Sequence, residues 1–261
     1  MTRQQSLLWS EQSARQSLRV RIISITRYSY VLPMPYQVFD SHASEYDAWY
    51  DTEAGRAIFA TEVDCLKPLL HHYSRPHLEI GVGSGRFAQA LGIEYGVDPA
   101  PTPLRMARGR GIQVIEATGE KLPFPDMMFG GLLMAFTLCF LENPQKSLQE
   151  AWRVLEPEGG LVLGLILRNS PWAEFYASKG RKGHPIYSKA RFFSKDEVES
   201  LLRMSGFKVL DYRSVLFQLP GQTHYRRERP ITGYQESAGF VAIASYKPSP
   251  SRLPDMDMTP V

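Results

Sequence analysis

Residues 78–88 read LEIGVGSGRFA, an acidic residue followed by three alternating glycines: Glu79, then Gly81, Gly83 and Gly85. A short apolar run that ends in such a loop and passes into a helix brings bare backbone amides up to a ligand, because glycine tolerates positive φ and has no Cβ to hold the ligand away. The loop is a cradle. The segments around it decide what it holds.

Outward from the loop, short apolar runs alternate with helical patterns, which predicts a parallel sheet covered by helices on both faces. HLEIG is the first strand, IEYGVD (93–98) the second, IQVIEA (112–117) the third and GGLLMAFTL (130–138) the fourth. GLVLGLIL (160–167) is apolar throughout and reads as a central fifth strand. FKVLDYRSVLF and GFVAIASYK are the last two, and with only a loop between them they can pair antiparallel. The expected fold class is α/β: a Rossmann-like sheet of seven strands, mostly parallel, with an antiparallel C-terminal hairpin strand.

Two helices carry clear end signals. Asn143 can cap one, with Pro144 in its first turn, Leu148, Ala151, Trp152 and Leu155 on one face, and Gly159 and Gly160 to break it. Ser194 and Glu197 have capping-box spacing for the other, and Gly206 can end it. Between them, residues 169–193 show no clean period and carry many aromatic and basic side chains, so they read as an inserted excursion over the sheet.

Composition is that of a globular protein, 43% hydrophobic and 22% charged, without an uninterrupted apolar stretch able to span a bilayer. Cys65 and Cys139 have no metal-ligand spacing and are too few for a disulfide scaffold, so no metal and a reducing, cytoplasmic setting are expected. The net charge of +3 is misleading, because residues 1–33 hold five arginines against Glu11, a local balance of +4 that leaves about −1 for the rest. A near-neutral body argues against binding to nucleic-acid backbones. Residues 1–33 are expected to be a disordered extension, or sequence upstream of a true start at Met34, in preference to a transit peptide. Residues 247–261 are expected to be a flexible, proline-rich tail.

The second strand ends in Asp98, where a carboxylate can accept hydrogen bonds from both hydroxyls of a ribose. A dinucleotide fingerprint would space its glycines G-x-G-x-x-G, whereas Gly81, Gly83 and Gly85 give G-x-G-x-G and suit a ligand without a pyrophosphate. With LEIGVGSGRFA, GVDPA, ATGEKLPFPDMMFGGLLMAFTL and SLQEAWRVLEPEGGLVLGLI in this order, the chain resembles the class I S-adenosylmethionine-dependent methyltransferases, in the small-molecule branch similar to ubiquinone and menaquinone methyltransferases. One departure is Gly130 after Phe129, where the family often has an acid.

The resemblance implies S-adenosylmethionine as cofactor. Its methionine portion would lie against Gly81, Gly83 and Gly85 with Glu79 supporting the loop, its ribose on Asp98 and its adenine beside Thr118, Gly119 and Glu120. Phe136 and Thr137 would face the reactive methyl. It divides residues 34–246 into a helical lid (35–76), a cofactor-binding core (77–167) and a substrate wall (168–193), followed by the last strands.

Direct transfer of an activated methyl asks for few catalytic groups. Tyr46, His184 and Tyr187 are the candidates, and Tyr46, Trp49, Tyr50, Tyr176, Tyr187 and Arg191 the candidate substrate walls, although aromatics at helical spacing also suit plain packing. His71, His72 and His77 read as surface residues and Cys139 as a small buried thiol. The expected partner is a small-molecule substrate, with the protein a monomer or homodimer. A protein that binds the cofactor or its demethylated product without transfer is the alternative; a nicotinamide oxidoreductase is a weaker one.

Overall fold

A computed structural model of the chain describes residues 36–249. The extension expected at 1–33 and residues 250–261 of the expected tail lie outside the described residues. Three helices come first: α1 (Tyr36–Ser41), α2 (Ala43–Trp49) and α3 (Glu53–Leu70). Thr52 caps α3 by accepting a hydrogen bond from the Gly55 amide at 3.0 Å. Its buried residues Ile58, Cys65, Leu66 and Leu69 recur at near-helical spacing and lay the helix against one face of the sheet.

The strands are β1 (His77–Ile80), β2 (Tyr95–Asp98), β3 (Gln113–Glu116), β4 (Phe129–Ala135), β5 (Leu155–Leu165), β6 (Lys208–Val215), β7 (Ile231–Thr232) and β8 (Phe240–Tyr246). They form one sheet in the order β3-β2-β1-β4-β5-β8-β6-β7. β1 to β5 are parallel, and β8 inserts antiparallel between β5 and β6. The sheet therefore has eight strands rather than the seven expected. The addition is β7, which pairs antiparallel with β6 at the edge through Arg213 with Thr232 and Ser214 with Ile231. Two residues are too short to register as an apolar run.

Alternation along β4 sends Leu132 and Met134 into one core and Leu133 and Ala135 into the other. The first core lies under α6 (Pro144–Val154) and α8 (Lys195–Met204), and the second under α3. α4 (Arg86–Leu91) and α5 (Pro101–Gly109) follow β1 and β2 as short crossovers. Ser194 and Glu197 form the expected capping box, and Asn143 caps α6 by accepting from Lys146 N at 3.0 Å.

Three expectations need correction. α6 stops at Val154 and Leu155 enters β5 directly, so Gly159 and Gly160 lie inside the strand. Gly160 is there because a Cβ would stand 1.9 Å from the Tyr73 ring. The excursion at 169–193 contains a helix, α7 (Pro171–Arg181), capped by Ser170 Oγ accepting from Ala173 N at 3.1 Å, with Pro171 in the first turn. Its aromatics Trp172, Phe175 and Tyr176 fall at i, i+3 and i+4 on one face, but only Trp172 and Ala173 of the helix are buried, so the apolar period is too short to stand out. His77 is not on the surface: it is 1% exposed, its ring nitrogen 3.1 Å from the Tyr73 carbonyl.

Gly130 also has a packing reason. A Cβ there would lie 2.2 Å from the Ser74 carbonyl oxygen, so the acid often found at this position has no room.

Candidate active site

The parallel tips of β1 and β2 meet at the glycine loop. Gly81 N and Val82 N both donate to the Val97 carbonyl, at 2.8 and 2.9 Å. The Asp98 carboxylate accepts from Gly83 N at 3.0 Å on one oxygen and from Ala100 N at 2.8 Å on the other. Burial outweighs these bonds and pushes its acid constant up to about 6, with the nearby Asp40 adding to the rise.

The three glycines do different work. A Cβ on Gly81 would stand 2.4 Å from Thr137 Oγ1, and one on Gly85 would stand 2.9 Å from Ala107, so these two permit close packing. At Gly83, φ is +50° and nothing lies within 4 Å of a Cβ, so this residue alone of the three borders open space. Glu79 is 2% exposed, and burial drives its carboxyl well above its ordinary range. Its Oε2 is buried without a partner among the described residues. An open cradle at Gly83, a partnerless buried acid behind it and a carboxylate at the next strand tip suit a ligand that brings its own donors, such as an amino group and ribose hydroxyls.

Thr118, Gly119 and Glu120 follow β3, next to Asp98 in the sheet. Glu120 Oε1 accepts from Asn143 N at 3.2 Å, and Gly119 packs on Ser147, so both fix the start of α6 beside the cradle. Thr137 donates to the Ile80 carbonyl at 2.9 Å and buttresses Gly81 from behind. It is Phe136, held at φ +57°, that reaches the adjoining cavity.

That cavity has a volume of about 760 Å³. Phe136, Cys139 and Phe140 bring it to the end of β4, α2 and α3 form one side, and α7 with the segment after it forms another. All six expected wall residues, Tyr46, Trp49, Tyr50, Tyr176, Tyr187 and Arg191, line it, and so does His184. Tyr176 stacks on Tyr187 with centroids 4.4 Å apart, and His184 stacks on Tyr187 at 4.3 Å. Burial pushes the Tyr46 hydroxyl up to about 12 and raises those of Tyr50, Tyr176 and Tyr187 further. These tyrosines keep their protons at neutral pH and act as hydrogen-bond donors. His184 is lowered by partial burial and by Lys179, which leaves its ring neutral.

Sequence reasoning missed Glu62, Trp172 and Tyr225, which also line the cavity. Glu62 was legible in principle, since it lies four residues after Ile58 and four before Leu66 on the buried face of α3. Trp172 was lost with the helix that carries it.

The N-terminal segment is fastened to the cradle by one acid. Asp47 of α2, 7% exposed, accepts from Ser84 Oγ at 2.5 Å, from Arg86 through two bonds of 2.8 Å, and from Arg110 at 2.9 Å. Aromatic edges reinforce this, Tyr50 meeting Phe59 at 5.3 Å and Phe39 meeting Phe140 at 4.8 Å. Among the described residues no cluster of histidine, cysteine and acidic side chains could hold a metal ion, and no helix is long and apolar enough to cross a membrane.

Residues 78–163 match the family model described as a methyltransferase domain. A crystal structure of a protein from Thermotoga maritima, described as an S-adenosylmethionine-dependent methyltransferase and possible histamine N-methyltransferase, superposes with a TM-score of 0.76 at 35% identity, over 82% of this chain and 99% of that one. An uncharacterised protein of Mycobacterium tuberculosis is 48% identical over 78% of this chain and 71% of its own length. A rice 2-methyl-6-phytyl-1,4-hydroquinone methyltransferase is 31% identical over 67% of this chain and 55% of its own. With the cradle, the strand-tip carboxylate and this sheet order, the chain belongs to the class I S-adenosylmethionine-dependent methyltransferases. It is an enzyme, and S-adenosylmethionine is its cofactor.

Proposed function

We propose that the protein transfers a methyl group from S-adenosylmethionine to a small organic acceptor held in the cavity beside Phe136. The observation that carries this reading is the cavity itself: about 760 Å³, rich in aromatic side chains, and lined by Phe136, whose neighbour Thr137 packs on Gly81 of the cradle, the size and character of a small-ligand site. A chain body near neutrality supports a small acceptor over a nucleic acid. The names of two relatives point the same way, since histamine and a phytyl hydroquinone are both small molecules with one ring.

Bound S-adenosylmethionine supplies a methyl already activated on a sulfonium, which leaves the protein to position a nucleophile and keep water out. In this reading Gly81, Gly83 and Gly85 carry the methionine portion, with Glu79 receiving the amino group. Asp98 holds the ribose, and residues 118–120 border the adenine. Residues 35–76 form a lid that Asp47 latches, and residues 168–193 form the outer wall. Excluding water is the task of the Tyr46, Tyr50, Tyr176 and Tyr187 surfaces, which also offer hydroxyl donors to the acceptor. Calorimetry with S-adenosylhomocysteine tests the cradle, and a methyl-transfer assay over a panel of small amines, phenols and hydroquinones tests the reaction. Binding without turnover across that panel would make the protein a carrier of the cofactor instead.

A further inference from the structure

One acid is buried in the wall of the acceptor cavity. Glu62 is 4% exposed, lines the cavity from α3, and makes no hydrogen bond or ion pair among the described residues. Among the described residues no positive group pairs with it. The cavity's other charged side chains, Glu45, Lys179 and Arg191, are all exposed. Lys179 Nζ stands 4.4 Å from the centroid of Phe175 and Arg191 Cζ 4.5 Å from that of Phe193, so both cations rest on aromatic faces toward solvent. Partly buried His184 is stacked on Tyr187.

Around the acid runs a chain of aromatic rings. Tyr46 and Tyr50 are 5.9 Å apart, Trp172 is 6.1 Å from Tyr176 and 5.6 Å from Tyr225, and Tyr176 is 4.4 Å from Tyr187. The acid and these rings line the same cavity. A buried carboxyl without a partner is costly unless a ligand completes it. Aromatic faces attract a cation by their negative π-surfaces and repel an anion. The cavity thus lacks one thing, a positive group set on an apolar body.

From this we infer that the acceptor is an organic amine with an aromatic or apolar body, and that Glu62 receives its ammonium group. This rests on the methyltransferase reading and selects among its acceptors. A hydroquinone has no cation for the acid to meet. Glu62 then does what an amine acceptor needs, since an ammonium nitrogen has no free lone pair. The proton passes from the ammonium nitrogen to a Glu62 carboxylate oxygen, and the electron pair of the broken N–H bond stays on the nitrogen, leaving a neutral amine and a neutral carboxyl. Burial, which drives this carboxyl well above its ordinary range, favours that direction of transfer.

The test uses the full chain saturated with S-adenosylhomocysteine and titrated calorimetrically with 2-phenylethylamine, histamine, 2-phenylethanol and trimethylhydroquinone. The amines are expected to bind at least about tenfold more tightly than the two neutral probes, a ratio worth about 1.4 kcal/mol. Glu62→Gln is expected to erase that preference, with Glu62→Asp restoring part of it. Equal affinity for phenylethylamine and phenylethanol, no binding of either amine up to millimolar concentration, or a preference that survives Glu62→Gln would overturn the inference. Should Glu62→Gln fail to fold, the comparison of probes on the parent protein still decides. Absence of heat with S-adenosylhomocysteine itself sinks the methyltransferase reading instead, and is seen before any amine is added.

Discussion

Arg86 forks onto Asp47, Nε to Oδ1 and Nη2 to Oδ2, both at 2.8 Å, and so ties the first turn after the glycine loop to the helix that covers it. Asp47 takes further bonds from Ser84 and Arg110, and these hold its carboxyl down at about 2 against the cost of burial. An acid lowered in the folded state contributes stability that is complete above its unfolded value of about 4 and is lost as pH falls through about 2. Asp47→Asn is expected to remove about 2 kcal/mol at pH 7 and to flatten the stability curve between about pH 4 and pH 2. Urea denaturation across that range measures both. Because Ser84 lies in the loop, the same variant is expected to weaken S-adenosylhomocysteine binding.

Gly83 separates ligand space from packing space. Its Cβ position is open, while those of Gly81 and Gly85 are filled by Thr137 and Ala107. Gly83→Val is expected to abolish S-adenosylhomocysteine binding at a stability loss of about 1–2 kcal/mol, the strain of a side chain at positive φ. Gly85→Val adds overpacking against α5 and is expected to cost about 3 kcal/mol or more. Melting curves and calorimetry on the two variants separate the effects, and equal destabilisation would contradict the division.

The cradle was readable because its chemistry is local: glycine at positive φ and an acid closing the next strand leave marks in adjacent residues. Seven of the eight strands were readable for a similar reason, since each carries apolar residues in a short run between turn signals. β7 was not, because two residues on an edge bury too little to leave a pattern. The cavity walls Tyr46, Tyr176 and Tyr187 could be named as aromatics without showing that they converge, which depends on how α2 and α7 pack. Glu62 shows the limit most clearly. An acid on the apolar face of α3 reads as an interruption until the structure places it in the wall of a cavity whose cations, Lys179 and Arg191, are exposed.

Asp98 makes the cradle sensitive to mild acid. Its raised constant of about 6 means that ligand-free protein is stabilised by this group below about pH 4 and loses that contribution as pH rises through about 6. Cofactor ribose hydroxyls need the ionised form as acceptor. Affinity for S-adenosylhomocysteine is therefore expected to fall by up to about tenfold for each unit below pH 6. Asp98→Asn is expected to bind weakly at every pH and to lose the step. Calorimetric titrations between pH 5 and 8 distinguish this from general acid damage, for which both proteins would decline together.

Gly130 tests whether a departure from the family pattern is functional or steric. The residue lies at the register shift of β4, between Phe129 paired with Leu155 and Gly131 paired with Gly160, and its amide donates to the Pro76 carbonyl at 3.2 Å. Ser74 occupies the side-chain position, its Oγ 2.1 Å from where a Cβ would stand. Restoring an acid would force that backbone apart and bury a charge beside a carbonyl oxygen, two penalties of the same sign. Gly130→Asp is expected to cost more than about 3 kcal/mol, whereas Ser74→Gly alone should cost less than about 1 kcal/mol. Ser74→Gly removes the hydroxyl but leaves the carbonyl in place, so it should rescue Gly130→Asp only in part. Full rescue in denaturant unfolding would show that the hydroxyl, and not the backbone, excludes the acid.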